Sequence, residues 1–187
     1  MNEELFDVVN DQDEVIGRCP RGEVHRRGLK HRAVHVLVFN RRGEVFLQKR
    51  ALTKDSFPGA WDSSASGHLR PGESYDAAAV RELAEELGLR PDHPPERLFK
   101  LPASPATDQE FVWVYRVEAE GPFTLHPEEI SDGGWFTPEQ VTRWLAERPG
   151  DFAGSAPLIW GRYRVGCAGA AATGETRAAD RPERPAQ

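Results

Sequence analysis

The stretch that decides the fold lies near the middle of the chain, where residues 67–89 read GHLRPGESYDAAAVRELAEELGL. From residue 73 onward the apolar residues recur at helical spacing, and Gly88 follows as a C-terminal stop. We therefore predict an amphipathic helix over residues 73–87. At 100° per residue its predicted apolar face, about 120° wide, consists of Ala77, Val80, Leu83, Ala84 and Leu87.

Three glutamates crowd one sector of this predicted helix. Glu82, Glu85 and Glu86 fall within about 100° of one another, opposite the predicted apolar face. Like charges three or four residues apart cost a few tenths of a kcal/mol each, and carboxylates in the last turn also oppose the helix dipole. One interpretation is a solvated acidic face, because glutamate is a good helix former. The other is a site for a divalent cation that offsets the repulsion.

The segment before the helix has features that favour the binding of anions. Residues 67–73 form a glycine-bounded loop, and free backbone N–H groups together with the positive end of a helix dipole attract phosphate. Mg²⁺ and Mn²⁺ are hard cations that bind carboxylates, and Mg²⁺ commonly completes its shell with water and substrate phosphates. The loop and the acidic sector together indicate phosphate chemistry.

The flanking sequence predicts a mixed sheet covered by helices. Thr137 and Pro138 begin a second helix with the pattern of a capping box, and we expect this helix to end near Glu147. Residues 157–165 predict one more short helix. Runs rich in Val, Leu and Phe predict strands at residues 5–9, 15–18, 33–39, 45–48, 98–101, 111–117 and 134–136. This order of elements indicates an α/β fold with a mixed β-sheet between helices in a single domain.

We expect the chain to divide into three parts. Residues 1–28 form an N-terminal hairpin and lead-in that belong to the same domain, and residues 29–166 form the body of that domain. Residues 167–187 consist largely of Ala, Gly, Thr, Arg and Pro. Such a composition buries too little apolar surface to offset its ordering entropy, which predicts a disordered C-terminal tail.

Composition excludes several classes of protein. Among 187 residues, 24 Lys and Arg face 30 Asp and Glu, and a formal charge of −6 argues against binding nucleic acid polymers through net charge. We expect no membrane association, because no apolar run approaches the roughly 20 residues that span a bilayer. The first residues lack the pattern of a secretory signal, which predicts a cytoplasmic location. Cys19 and Cys167 match no disulfide framework or zinc-binding spacing.

A longer pattern covers residues 67–89: Gly67, five residues, Glu73, seven residues, then Arg81-Glu82-Leu83-Ala84-Glu85-Glu86-Leu87-Gly88-Leu89. This pattern resembles the Nudix box at every defined position. The resemblance extends over residues 6–165 and implies a Nudix-type α/β/α sandwich. It also implies Mg²⁺-dependent hydrolysis of a diphosphate linkage, with Mn²⁺ as a substitute. By this resemblance Glu82, Glu85 and Glu86 are metal ligands, Arg81 orients a carboxylate, and Gly67 shapes the substrate-binding loop.

A narrower resemblance points to the isopentenyl-diphosphate isomerase branch of the same superfamily. It covers residues 28–68, including the segments GLKHRA, QKRALTK and PGAW. In that branch three histidines and two acidic residues hold a metal, and the matching positions here are His25, His31, His68, Asp108 and Glu110. Glu110 also matches the catalytic glutamate of the branch, and Arg50 and Lys54 match residues that bind the substrate diphosphate. Without the resemblance, these residues read as ordinary surface or core residues, because separation in sequence does not predict convergence.

The chain departs from the isomerases at the residues that do their carbon chemistry. Ser66 stands where the isomerases have a cysteine, and a hydroxyl is a far poorer acid–base group than a thiol. The tryptophan that shields the isomerase carbocation is replaced, with Leu158 as the matching residue and Trp160 close by. The glutamates needed for hydrolysis are complete.

The sequence therefore predicts a Mg²⁺-dependent Nudix hydrolase whose partner is a small-molecule diphosphate. The general base is Glu82, Glu110 or Glu129, because relatives place it either inside the box or on an outside loop. One alternative is an isopentenyl-diphosphate isomerase-like enzyme, and another is a non-catalytic nucleotide-binding regulatory module. Relatives are often dimers, so a homodimer is the assembly that the resemblance suggests.

Overall fold

The computed structural model describes residues 4–173, with side chains through residue 167. The strands in that range are β1 (Leu5–Val9), β2 (Val15–Pro20), β3 (His31–Phe39), β4 (Val45–Arg50), β5 (Trp61–Asp62), β6 (Ala65–His68), β7 (Glu96–Leu101), β8 (Glu110–Glu118) and β9 (Ile130–Phe136). The helices are α1 (Arg21–Arg27), α2 (Tyr75–Leu87), α3 (Pro138–Glu147) and α4 (Ala156–Thr173). Short 3₁₀ helices cover Pro105–Thr107 and Pro149–Asp151.

The main sheet is mixed and centres on β3. Its strands follow the order β5-β4-β3-β8-β7, with β6 also paired to β3 and β9 also paired to β4. β3 runs parallel to β8 and antiparallel to both β4 and β6, while β1 and β2 form a separate hairpin. The predicted mixed sheet and the N-terminal hairpin are confirmed.

Two hydrophobic cores cover the two faces of this sheet. Successive residues of a strand point to opposite faces, so Val34, Val36 and Val38 pack against α2. Leu37 and Phe39 face the other way, toward α3 and α4. The predicted α/β/α sandwich is confirmed, and α2 contributes one wall of the site described below.

The N-terminal hairpin is tied to the loop that precedes α2. Asp7 is buried, and its carboxylate accepts hydrogen bonds from the Gly72 backbone N–H at 2.7 Å and from Arg18 Nε at 2.9 Å. Asp13, in the hairpin turn, accepts hydrogen bonds from Arg32, Lys100 and Tyr75. The hairpin therefore fixes the position of the loop over residues 67–73.

Some boundaries differ from those expected. α2 begins at Tyr75 rather than residue 73, because Ser74 caps it by accepting a hydrogen bond from the Ala77 N–H. α3 has the predicted capping box between Thr137 and Gln140. Strands β5 and β6 were not predicted, because Trp-Asp and Ala-Ser-Gly-His show no alternating apolar pattern.

The last helix was predicted to be shorter than it is. α4 runs to Thr173, beyond residue 165 and into the segment that composition had assigned to a disordered tail. The cause is local propensity, since alanine is the best helix former and residues 168–173 are mostly alanine. Residues 174–187 of the predicted tail lie outside the described residues. Within residues 4–173, every helix is too short or too polar to cross a membrane.

Candidate functional site

The two faces of α2 are not arranged as the helical wheel predicted. Val80 is 40% exposed, whereas Glu82 and Glu86 are only 8% and 5% exposed and lie on the buried side with Leu83 and Leu87. The expectation that the acids lie opposite the apolar face was therefore wrong for Glu82 and Glu86. The reason is that α2 packs partly on β6, whose small residues leave room for carboxylates.

Glu86 is the most deeply buried of the three predicted metal-binding glutamates. Its Oε2 accepts hydrogen bonds from Gln48 Nε2 at 3.0 Å and from the Ser66 N–H at 2.9 Å. Burial, followed by the negative charge of Glu82, raises the pKa of Glu86 well above its usual range. Both hydrogen-bond donors are neutral, so they do not compensate the negative charge of the ionised carboxylate. A bound cation would compensate it.

Glu82 and Glu85 share one arginine. Arg81 Nη1 lies 2.6 Å from Glu82 and 3.1 Å from Glu85, and its Nε and Nη2 bind both oxygens of Glu73 at 2.8 and 2.7 Å. Burial raises the pKa of Glu82 to about 7, against the opposing effect of Arg81. The side chain of Glu85 is 44% exposed and also accepts a hydrogen bond from Arg70. This geometry agrees with the predicted role of Arg81 in orienting carboxylates.

Gly67 permits the close approach of Glu82. A Cβ atom built at this position would lie 2.0 Å from Glu82 Oε1 and 2.3 Å from its Cδ. Real Cβ atoms do not come so near to other heavy atoms, so any side chain at residue 67 forces Glu82 to move. The glycine is thus explained by the space that the carboxylate occupies.

The three predicted histidines converge. Ligand-capable atoms of His25, His31 and His68 all lie within 4.8 Å of one another. Glu110 Oε1 lies 2.9 Å from His68 Nε2 and 3.5 Å from His31 Nε2, and Asp108 Oδ2 lies 3.2 Å from His25 Nδ1. The structure therefore brings all five residues of the predicted second site together.

The donor set of this histidine cluster fits a divalent metal. The Nε2 atoms of His25 and His31 are buried and have no hydrogen-bond partner among the described residues. Burial alone would raise the pKa of Glu110, yet its contacts with His31 and His68 hold that pKa well below its usual range. Burial, together with the positive charges that His68 and His31 can carry, lowers the pKa of His25, which favours the neutral imidazole that binds metals.

Phe6 completes the histidine cluster and was not identified from the sequence. Its ring centroid lies 4.5 Å from that of His68, 5.6 Å from that of His31 and 6.0 Å from that of His25. The ring shields this side of the cluster from water. No motif marks an isolated phenylalanine in an N-terminal strand, so sequence alone offers no signal for it.

One cavity of 980 Å³ connects the two clusters. His31, only 1% exposed, stands behind it and does not line it. The predicted residues that do line the cavity are Glu82, Glu85, Glu86, Arg81, Gly67, His25, His68, Asp108, Glu110, Arg50 and Lys54. The candidate base Glu129 also lines it, as does Ser66.

The two predicted phosphate-binding cations are both engaged within the protein. Arg50 donates to the Ser56 carbonyl oxygen at 3.1 and 3.0 Å and lies 3.4 Å from Asp62 Oδ2. Lys54 pairs with Glu129. A bound anion would therefore compete with these internal acceptors, and it would separate Lys54 from Glu129.

The two residues near the position of the isomerase tryptophan lie outside the cavity. Trp160 is 5% exposed in the core against α3 and donates a hydrogen bond to Thr142 Oγ1. Leu158 is 44% exposed, and neither residue lines the cavity.

The NUDIX domain model matches residues 29–155, which is more than half of the chain. This chain belongs to the Nudix family. An uncharacterized Nudix hydrolase of Pseudomonas aeruginosa is 36% identical over 147 residues, which cover 73% of this chain and 80% of the relative. An isopentenyl-diphosphate Delta-isomerase of Nocardia farcinica is 37% identical over 148 residues, covering 76% of this chain and 85% of the isomerase.

A solved structure agrees with the family assignment. The crystal structure of a Deinococcus radiodurans protein superposes with a TM-score of 0.77 at 30% identity, over 85% of this chain and 98% of that one. The chain is thus a Nudix hydrolase, from a family of enzymes that act on small-molecule diphosphates and generally use divalent metal ions.

The raised pKa values of Glu82 and Glu86 predict how the stability of the metal-free protein depends on pH. An acid whose pKa is raised in the folded state binds more protons folded than unfolded, so the free energy of unfolding falls as pH rises from about 4.5 through 7 and above. We expect Glu86→Gln to unfold at a higher temperature than the wild type in EDTA, by a margin that grows from pH 5 to pH 8. A gain of 1 kcal/mol corresponds to roughly 2 to 4 °C for a chain of this size.

Thermal unfolding by circular dichroism measures this margin, and Glu147→Gln, at an exposed position on α3, is the matched control. Taking the difference between variants at each pH cancels the contributions of other titrating groups. A margin that stays constant between pH 5 and pH 8 would contradict the burial argument for Glu86.

Proposed function

We propose that this Nudix hydrolase is Mg²⁺-dependent and cleaves a diphosphate linkage in a nucleoside diphosphate derivative or another organic diphosphate. The observation that carries the proposal is the burial of Glu82 and Glu86 at one wall of a large cavity, where Glu82 shares Arg81 with two other glutamates and the hydrogen-bond donors of Glu86 are neutral. Buried carboxylates without sufficient counter-charge are costly unless a cation joins them.

Glu82, Glu85 and Glu86 would hold the ion. When bound, Mg²⁺ supplies charge neutralisation for the diphosphate and a lowered pKa for a coordinated water. Arg81 keeps Glu82 and Glu85 in place, while Arg50 and Lys54 bind phosphate oxygens once these displace their internal partners. Glu82, Glu110 and Glu129 are the candidates to take the proton from the attacking water. Glu110 is a weaker base than Glu82, because its histidine neighbours hold its pKa low whereas burial raises the pKa of Glu82.

The histidine cluster would hold a second divalent ion through His25, His31, His68, Asp108 and Glu110. Imidazole ligands suit Zn²⁺ better than Mg²⁺. We expect His25→Ala to weaken Zn²⁺ binding at this site by about 10- to 100-fold or more. Removing a group that only orients a metal ligand already costs this much affinity, and His25 is itself a proposed ligand. Isothermal titration calorimetry measures it, with His93→Ala, at an exposed position, as control. Equal Zn²⁺ affinity in the two variants would contradict the assignment.

A substrate panel tests the proposed activity. The protein is incubated with nucleoside diphosphates, nucleoside triphosphates, dinucleotides and isoprenoid diphosphates, with Mg²⁺ or with EDTA, and the products are separated by ion-exchange chromatography. We expect at least one member to lose a phosphate or phosphate ester with Mg²⁺ and to stay intact with EDTA. Cleavage that persists in EDTA, or a panel that remains uncleaved, would contradict the proposal.

The histidine cluster and the similarity to a named isomerase favour an isopentenyl-diphosphate isomerase-like activity as second candidate. Ser66 at the position of the catalytic cysteine speaks against it. Incorporation of deuterium from solvent into isopentenyl diphosphate, without release of phosphate, would favour isomerisation over hydrolysis. Tight binding of a nucleotide that is never turned over would favour a regulatory module instead.

Location and assembly are parts of the proposal that rest on the sequence and the family. We propose a cytoplasmic enzyme that acts on a small molecule and binds neither nucleic acid polymers nor membranes. A homodimer is the proposed assembly, and sedimentation equilibrium measures it.

A further inference from the structure

A second group of buried polar side chains lines the cavity away from the histidine cluster. Asp62, His35 and Ser155 are 4%, 7% and 6% exposed, and all three belong to the cavity wall. No motif in the sequence predicts a role for them. Three buried polar residues in one wall are costly unless their hydrogen bonds are satisfied.

The internal hydrogen bonds of this group are incomplete. Asp62 Oδ1 accepts a short bond from the Ser63 N–H at 2.7 Å and lies 3.7 Å from His35 Nδ1. Among the described residues, the hydrogen-bond contacts of Oδ2 are both long, with Arg50 Nη1 at 3.4 Å and Ser66 Oγ at 3.5 Å. Charge-assisted hydrogen bonds of a carboxylate are usually about 2.7 to 2.9 Å long. Asp62 Oδ2 is therefore a buried acceptor with spare capacity.

His35 also has one nitrogen atom whose internal hydrogen bond is long. Its Nδ1 lies 2.7 Å from Ser63 Oγ, while its Nε2 has one long contact, 3.4 Å, with Ser155 Oγ. If the Ser63 hydroxyl donates to Asp62 Oδ1 or to the Ala65 carbonyl oxygen, each at 3.4 Å, then Ser63 Oγ accepts a hydrogen bond from the Nδ1–H of His35. His35 Nε2 is then an acceptor with its lone pair beside Ser155.

The group adjoins the carboxylates of α2. Ser66 connects them, because its N–H donates to Glu86 at 2.9 Å and its Oγ faces Asp62 at 3.5 Å. Arg50, which we assign to the diphosphate, contacts the same oxygen of Asp62 as Ser66 does. An organic group attached to a diphosphate at Glu86 and Arg50 would therefore reach Asp62 and His35 first.

We propose that Asp62, His35 and Ser155 form a specificity subsite for a hydroxyl-bearing organic group, best matched by a vicinal diol such as that of ribose. This inference rests on the proposed function and deepens it. A carboxylate oxygen and an imidazole nitrogen that both accept suit a ligand with two O–H donors. An isoprenoid chain offers no donor and would bury the Asp62 charge under alkyl groups, so the subsite disfavours isopentenyl diphosphate.

Equilibrium binding of ligands that resist cleavage tests the subsite independently of turnover. The probes are adenosine 5′-(α,β-methylene)diphosphate and its 2′,3′-dideoxy counterpart, measured by isothermal titration calorimetry with Mg²⁺. We expect the diol to bind roughly 10- to 100-fold more tightly, as for hydrogen bonds to a charged group. Asp62→Asn should reduce this preference severalfold, and Asp92→Asn, at an exposed position, should leave it unchanged.

Equal binding of the two probes by the wild-type protein, including failure of both to bind, would overturn the subsite. This comparison needs no variant, so it stands even if Asp62→Asn does not fold, and Ser155→Ala then serves as the second variant. A diol preference in a protein that cleaves no diphosphate would keep the subsite and overturn the hydrolase. Cleavage of diphosphates without a diol preference would keep the hydrolase and overturn the subsite.

Discussion

Replacing Glu86 with glutamine is expected to lower turnover of the diphosphate substrate by about 10²- to 10³-fold at saturating Mg²⁺, the loss typical of removing one charge-stabilising group from an active site. The amide keeps the size of the side chain, and its oxygen can still accept hydrogen bonds from Gln48 and the Ser66 N–H. The negative charge and one of the two carboxylate oxygens are lost. Steady-state kinetics measure the effect.

The same substitution is expected to leave the fold intact, and it separates a functional from a structural role. Because Glu86 is buried with a raised pKa, its carboxylate destabilises the metal-free protein, so the variant should be at least as stable as the wild type. Glu147→Gln controls for the chemistry of the change at an exposed site. Unchanged turnover in Glu86→Gln would remove Glu86 from the active site.

Gly67→Ala is expected to cost about 10²-fold in turnover, because the added methyl group takes the place of Glu82 Oε1. Glu82 must then leave the position in which it contacts Arg81. Gly17→Ala is the matched control, since it also lies in a strand and its Cβ would meet no atom within 4 Å.

A double variant isolates the cause of that loss. If Gly67→Ala acts through Glu82, then adding it to Glu82→Gln should lower turnover little further, because contacting residues that act as a unit are not additive. Multiplied losses in the double variant would show that Gly67 acts by a separate route, such as the conformation of the loop.

The sequence predicted the central helix and its acids but not their burial. A helical wheel assumes a single apolar partner, whereas α2 packs on apolar side chains through Leu83 and on the small residues of β6 through Glu82 and Glu86. That second contact depends on the pairing of β6 with β3, which a four-residue segment without periodicity does not reveal.

Convergence of the histidines could be expected only from the family resemblance. In the structure it follows from register, since His31 on β3 pairs with Glu110 on the parallel strand β8, and Ala33 pairs with His68 on β6. α1 then places His25 against them. Parallel pairing between strands about 70 residues apart in the chain has no local signature, so geometry was needed to show it.

The central claim is that the carboxylates of α2 hold a divalent cation. Mn²⁺ binding tests this claim most directly, and the electron paramagnetic resonance signal of free Mn²⁺ reports the binding. His25→Ala is compared with the triple variant His25→Ala/Glu82→Gln/Glu86→Gln, so that the histidine cluster is weakened in both proteins. We predict that His25→Ala still binds Mn²⁺ and that the triple variant loses that binding by 100-fold or more, roughly the scale of losing charged ligands from a metal site. Equal Mn²⁺ binding by the two proteins would contradict the assignment of a cation to the carboxylates of α2.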